Sequence, residues 1–156
     1  MNMSNDGLSL VKYFEGSKLT VYPDSNGFPT VGTGHLVKSE DNLQIGDTIT
    51  QDQADAFLSA DLVNAENRVV ALFPNEMPQF QFDCLIDQAY NLHSFPTLAG
   101  HLLNDGQAVY LERTLLYDKD ENGHTLLGLQ RRRQAEVYLF QGQTWQQILP
   151  QIEAIV

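Results

Sequence analysis

Apolar residues along this chain alternate between two spacings, and each switch marks a new element. Leu8, Val11 and Phe14 recur at helical spacing behind Ser4, Asn5 and Asp6, any of which can cap a helix, and Gly16 is a natural stop. The pattern then becomes extended. Leu19 to Tyr22 is a β-type run, Asn26-Gly27 is a hairpin turn signal, and Thr30 to Thr33 is a second run. Gly32-Thr33-Gly34 permits either close backbone approach or a tight bend, and Lys38 to Gly46 is polar loop.

Helical spacing returns at Thr50-Gln51-Asp52-Gln53, which has capping-box spacing. It opens a long helix with Ala54, Phe57, Leu58, Leu62, Ala65 and Val69 on one face, ending before Pro74. Asp52, Asp55, Asp61 and Glu66 lie along it and are expected to be solvated. Phe82, Leu85, Ile86, Ala89 and Tyr90 predict a core helix over 79–90. A short helix starts at Pro96 and stops at Gly106, and 107–117 reads as another. An exposed polar loop, 118–127, precedes a helix over 129–140. Thr144 caps a last segment with Trp145, Ile148, Leu149 and Ile152, broken or restarted at Pro150. The pattern is α+β and mostly α: a small N-terminal β-hairpin lobe joined by a long helix to a helical lobe, without repeat or linker.

Composition narrows what such a fold can do. The 156 residues suit a single domain, 1–156, with a sizeable core. No apolar run reaches membrane-spanning length, so no membrane insertion is expected. The start lacks the basic and apolar regions of a secretory signal, so the chain is expected to be made in the cytoplasm and to need help reaching any target outside it. The single cysteine, Cys84, excludes an internal disulfide and reads as buried packing between apolar neighbours. A net charge of −11 argues against nucleic acid as a partner, and Arg131-Arg132-Arg133 is too short a cluster to define such an interface. The same acidity disfavours association with anionic envelopes, most strongly at low salt.

Candidate chemistry gathers around the first helix and the hairpin. Glu15 falls in the last helical turn, near the negative end of the macrodipole, where an anion is disfavoured and a proton-donating acid is well placed. A solvated helix-end glutamate is the plainer reading of that residue alone. With Asp24 and Thr30 on the hairpin, the set comprises an acid, a carboxylate and a hydroxyl, the equipment for acid-catalysed acetal hydrolysis by an activated water. His35 follows two glycines beside this set and reads as a structural, hydrogen-bonded histidine. No spacing among His35, His93, His101 and His124 suggests a zinc site, and no metal or cofactor is expected. Asp118-Lys119-Asp120-Glu121-Asn122-Gly123 matches the opening of an EF-hand loop. Its twelfth position is Leu129 where a bidentate Glu is required, so a polar turn is the better reading. No serine sits in a nucleophile motif.

Glu15, eight residues, Asp24, five residues and Thr30 reproduce the spacing of phage-type lysozymes, and Phe14-Glu15-Gly16 and Thr30-Val31-Gly32-Thr33-Gly34-His35-Leu36 agree with it. Far downstream, Gly128-Leu129-Gln130-Arg131-Arg132-Arg133-Gln134-Ala135-Glu136 resembles that family's C-terminal signature. The resemblance spans nearly the whole chain. It implies a lysozyme-like fold with a cleft between its lobes, and a muramidase (endolysin) that cuts the β-1,4 bond between N-acetylmuramic acid and N-acetylglucosamine in bacterial peptidoglycan. Glu15 is then the general acid, and Asp24 and Thr30 hold and activate water in an inverting reaction. Leu36, Tyr90 and Asn91 match substrate-binding positions. The chain departs from the family at Leu92-His93-Ser94-Phe95-Pro96-Thr97, where a glycine-containing turn is usual, so that groove wall is expected to be rebuilt. Use as a phage endolysin with a holin, or as an antibacterial effector with a delivery apparatus and an immunity protein, would place the activity in the periplasm or cell wall of the target bacterium. An inactive glycan-binding module on the same fold is the alternative.

Overall fold

The computed structural model describes residues 2–24, 26–120 and 122–156. Among these it contains seven α-helices and a three-stranded antiparallel sheet of order β1-β2-β3. The chain divides into two compact units, residues 12–64 and residues 1–11 with 65–156.

In the smaller unit, α1 (Asn5–Glu15) ends and β1 (Lys18–Pro23) begins across Gly16, whose φ of 70° is the left-handed conformation that closes a helix. β1 pairs with β2 (Pro29–Gly32), placing Tyr22 opposite Thr30 and Pro23 opposite Pro29. The two glycines after Val31 form the bend into β3 (His35–Leu36), which pairs back so that Thr30 faces Leu36. A two-residue strand is too short to leave a periodic signal, which is why the sequence pattern shows a hairpin only. Val21, Val31 and Ile49 pack on Ala54 of α2 (Gln51–Leu72), with Leu19, Val37, Leu43 and Phe57 around them. Thr50 and Gln53 make the expected capping box: Gln53 Oε1 accepts the Thr50 N–H at 2.9 Å, and Thr50 Oγ1 accepts the Gln53 N–H at 3.2 Å.

The larger unit contains α3 (Gln79–Asn91), α4 (Phe95–Asn104), α5 (Gln107–Thr114), α6 (Leu127–Phe140) and α7 (Trp145–Glu153). Several boundaries differ from expectation, among them the start of α6, at Leu127 rather than Leu129. α5 stops at Thr114 rather than Tyr117, because the Thr114 hydroxyl bonds the Tyr110 carbonyl and the next amides make tight bonds to Arg113 and Thr114. α7 runs through Pro150, whose missing N–H removes one helical bond while Ile148 and Ile152, both fully buried, hold the turns on either side. Within the expected loop over 118–127, Lys119 and Thr125 form an antiparallel bridge.

The interior of this unit is polar as well as apolar. Arg132 makes two bonds to Asp87, from Nε to Oδ2 at 3.1 Å and from Nη2 to Oδ1 at 2.6 Å. Arg133, fully buried, brings Nη2 within 2.8 Å of Glu136 Oε1 and donates to Asn91 Oδ1 at 2.6 Å. Gln88 donates to Glu136 Oε2 at 3.0 Å and accepts the Tyr110 hydroxyl at 2.8 Å. The basic cluster of the sequence is therefore largely internal: Arg132 pairs with the Asp87 carboxylate, Arg133 lies against the Glu136 carboxyl and Asn91, and Arg131 bonds the Ile155 carbonyl.

Burial raises the Glu136 carboxyl to about 8, helped by the charge of Asp87 and opposed by Arg133 and Arg132. Burial also acts to raise Asp87, but Arg132 outweighs it and holds that carboxyl below its ordinary range. A hydrogen bond between the two carboxyls needs a proton, and Glu136 carries it. The unfolded chain releases that proton near the ordinary value of 4.5, whereas the folded chain keeps it to about 8. The folded state thus binds more protons across this window, so stability should be greatest below 4.5 as far as this group is concerned, and should fall as pH rises towards 8. Glu136→Gln should flatten that fall in denaturant titrations between those limits. An identical pH slope in parent and variant would contradict it.

Candidate functional site

Glu15 closes α1 on an exposed stretch, one residue before Gly16. Asp24 and Thr30 lie on the hairpin that follows, and hydrogen bonds tie Asp24 to Asn26, Gly27 and Phe28. Asp24 Oδ1 accepts the N–H groups of Asn26 and Phe28, each at 2.8 Å. The Asp24 N–H donates to the Phe28 carbonyl at 2.9 Å, and the Gly27 N–H donates to the Asp24 carbonyl at 3.0 Å. Gly27 supplies the positive φ of 86° that the turn requires. Thr30, buried on the central strand, donates its hydroxyl to the same Phe28 carbonyl at 3.1 Å. The sequence-predicted carboxylate and hydroxyl therefore meet at one peptide residue, Phe28.

The same turn occurs a second time in the chain. Asp120 Oδ1 accepts the N–H groups of Asn122 and His124 at 2.9 Å each, the Asp120 N–H donates to the His124 carbonyl at 2.9 Å, and Gly123 has a φ of 82°. The backbone N–H of His124, with that of Asn122, holds the Asp120 carboxyl below its ordinary range. Asp-x-Asn-Gly thus builds a polar turn at 120–123; Glu121 lies outside the described residues. Among the described residues no group of His, Cys, Asp and Glu is arranged to hold a metal.

His35 is 3% exposed. Its Nδ1 lies 2.8 Å from Asp61 Oδ2 and its Nε2 lies 3.1 Å from Asp41 Oδ2, with the ring stacked on Phe57 at 4.1 Å. Each ring nitrogen thus has a carboxylate partner, which fixes the ring against α2 and the 39–41 turn. Burial acts to raise the Asp41 carboxyl, but the Lys38 N–H and His35 outweigh it and hold it low. Asp61 is thus a partner of His35 rather than a solvated helix residue. Asp55, also expected to be solvated, pairs with Lys12 Nζ at 2.8 Å, and Lys12 holds its carboxyl low. Spacing alone could not find these partners, because they join segments far apart in sequence.

Leu36 is half exposed on β3. Tyr90 and Asn91 end α3 in the larger unit, both partly buried, and the Asn91 amide oxygen is occupied by Arg133. The departing segment after Asn91 is a short turn, with the Phe95 N–H bonding the Leu92 carbonyl, and it seats Phe95 fully inside the helical unit.

The turn makes a direct prediction. Asp24→Ala removes the acceptor for two amides and should lower the melting midpoint by a few degrees. Asp24→Asn keeps an oxygen in that place and should cost much less. Equal destabilisation of the two variants would show that the side-chain acceptor does not hold the turn.

The phage lysozyme family model matches residues 12–136. The chain is 35% identical over 147 residues to an endolysin of Lactococcus phage c2, covering 90% of this chain but only 60% of that protein. It is 33% identical over 148 residues to an endolysin of Acyrthosiphon pisum secondary endosymbiont phage 1, covering 90% of this chain and 99% of that one. Among solved structures, a variant of P22 lysozyme superposes with a TM-score of 0.81 at 28% identity, covering 91% and 99% of the two chains. The muramidase domain of SpmX from Asticaccaulis excentricus gives 0.78 at 27% identity, covering 89% and 97%. The match through both the Glu15–Thr30 stretch and the Arg131–Glu136 stretch, together with the lysozyme fold, makes this chain a member of the phage lysozyme family.

Proposed function

We propose that the chain is an inverting muramidase that hydrolyses the β-1,4 bond between N-acetylmuramic acid and N-acetylglucosamine. The hairpin carries this reading: Asp24 and Thr30 share Phe28, on the strand pair that follows a helix-terminal Glu15. Glu15 gives its proton to the glycosidic oxygen as the bond to the anomeric carbon breaks. A water held by Asp24 and Thr30 adds its oxygen to the opposite face of that carbon and passes a proton to Asp24. Inversion calls for about 6.5–9.5 Å between the two carboxyls, enough for that water. Leu36, Tyr90 and Asn91 are proposed sugar contacts, and His35 is a structural support for β3. The names of the relatives, endolysin and muramidase domain, support the substrate class.

Two routes to the wall fit this activity. In one, the enzyme is a phage endolysin released through a membrane lesion; in the other, it is an effector delivered into a rival's periplasm. The net charge of −11 favours direct delivery, because long-range attraction to an anionic wall is weak. Genes beside this one, a holin or a secretion apparatus with an immunity protein, would distinguish them.

With purified peptidoglycan, the parent should release reducing ends and saturated, non-anhydro muropeptides by mass spectrometry. Glu15→Gln and Asp24→Asn should each cut turnover by about a hundredfold or more while remaining folded. Full turnover in folded Glu15→Gln would remove the assignment. Activity should also rise from low to moderate ionic strength as repulsion from the wall is screened. A rate that falls steadily from the lowest salt would contradict the charge argument.

A further inference from the structure

The two turns, at 24–28 and 120–124, separate what the fold needs from what else has been added. Their backbone bonds, glycine conformation and acceptor oxygen agree, so Asp, Asn and Gly at these spacings suffice to make the turn. They differ at two places. The fifth residue is Phe28 in one and His124 in the other, and two residues further on Thr30 stands where the second turn has Leu126. At Asp120 the His124 ring places Nδ1 3.5 Å from Oδ2, so a protonated imidazole neutralises the carboxylate. At Asp24 the corresponding side chain carries no charge. The lysines of the same unit are engaged elsewhere: Lys12 with Asp55, Lys18 over the Tyr22 ring at 4.2 Å, and Lys38 beside Asp41.

We propose that Phe28 is a positioning residue for the Asp24–Thr30 pair, orienting both through its peptide group and keeping a cation away from the Asp24 carboxylate. This rests on reading Asp24 and Thr30 as the groups that hold the attacking water. The Thr30 hydroxyl gives its proton to the Phe28 carbonyl, so its lone pairs are left to accept. Asp24 is acceptor-only when ionised. A water between them therefore donates both protons, one to each, and keeps a lone pair for the anomeric carbon. A Thr30–Phe28 bond is not needed to form such a turn, since the turn at Asp120 forms with Leu126 in that place.

Phe28 is 56% exposed, so its ring is not required for packing and can be changed without unfolding the hairpin. Phe28→His makes the first turn resemble the second. Turnover of peptidoglycan by this variant, divided by that of the parent, should fall about fivefold at pH 5, where the imidazole is charged. The deficit should close as the pH passes about 6.5, and it should lie in kcat rather than KM. Phe28→Leu should give a ratio to the parent that does not vary with pH, and His124→Phe should leave activity unchanged at every pH. A flat ratio for folded Phe28→His, or a pH-dependent deficit in Phe28→Leu, would overturn the proposal. Failure of the underlying reading is distinct: it would appear as no reducing ends from the parent, or as full turnover in Asp24→Asn.

Discussion

Two guanidinium groups that cannot lose their charge are buried in the helical unit, and that constraint decides how its helices are built. Arg132 and Arg133 are 4% and 0% exposed, so their charge must be met inside the protein; Arg132 is matched by Asp87, while Arg133 bonds through Nη2 and leaves Nε and Nη1 without a hydrogen-bond partner. α3 supplies Asp87 and Asn91, and α6 itself supplies Glu136; Gln88 and Tyr110 of α3 and α5 extend the network. Arginine is suited to this because its planar fork binds a carboxylate at two points, as Arg132 does with Asp87. Removing one partner would strand the others, which makes the cluster a specification of one packing arrangement as much as a source of stability. It also places two of the nine Lys and Arg side chains beyond the reach of any external anion.

This cluster explains where the sequence was readable and where it misled. The helices whose apolar residues fall on one face were legible: α2 begins with its capping box and ends before Pro74, and the core run at Phe82, Leu85 and Ile86 falls within α3. In α6 the buried positions are Arg132, Arg133 and Glu136 together with Ala135, Val137, Leu139 and Phe140. Charged residues on the inner face give hydropathy nothing to distinguish core from surface. The triple arginine therefore shows in the sequence only as a short basic cluster, with no sign that Arg132 and Arg133 are buried. Asp61 misled in the opposite direction: an acid on an amphipathic helix is ordinarily solvated, and only the fold brings His35 to it.

The setting of the proposed site was legible to a different degree at each residue. The order Glu15, Asp24, Thr30 was plain from spacing, because a helix stop, a turn signal and a strand fix their local settings in succession. The signal for the second turn was also present, as Asp-x-Asn-Gly at both 24–27 and 120–123, yet it is too short to register as a repeat. Its meaning is visible only through hydrogen bonds. No property of the phenylalanine side chain announces that the peptide of Phe28 receives the Thr30 hydroxyl while donating to Asp24.

The duplicated turn changes how a carboxylate in such a site should be read. An aspartate that accepts two amides has a structural reason to be there, and Asp120 shows that this reason is sufficient without the Glu15 and Thr30 setting. Orientation at Asp24 therefore comes with the fold of the hairpin, while reactivity must come from what surrounds the same turn. At Asp120 a histidine faces the carboxylate; at Asp24 the corresponding residue is phenylalanine, with a threonine hydroxyl bonded to the shared carbonyl. In the proposed mechanism, a turn that is already compatible with a carboxylate needs few further changes to hold the attacking water. Those changes lie in the residues that add or withhold charge and hydrogen bonds at its edge, and here they converge on the backbone of one exposed aromatic residue.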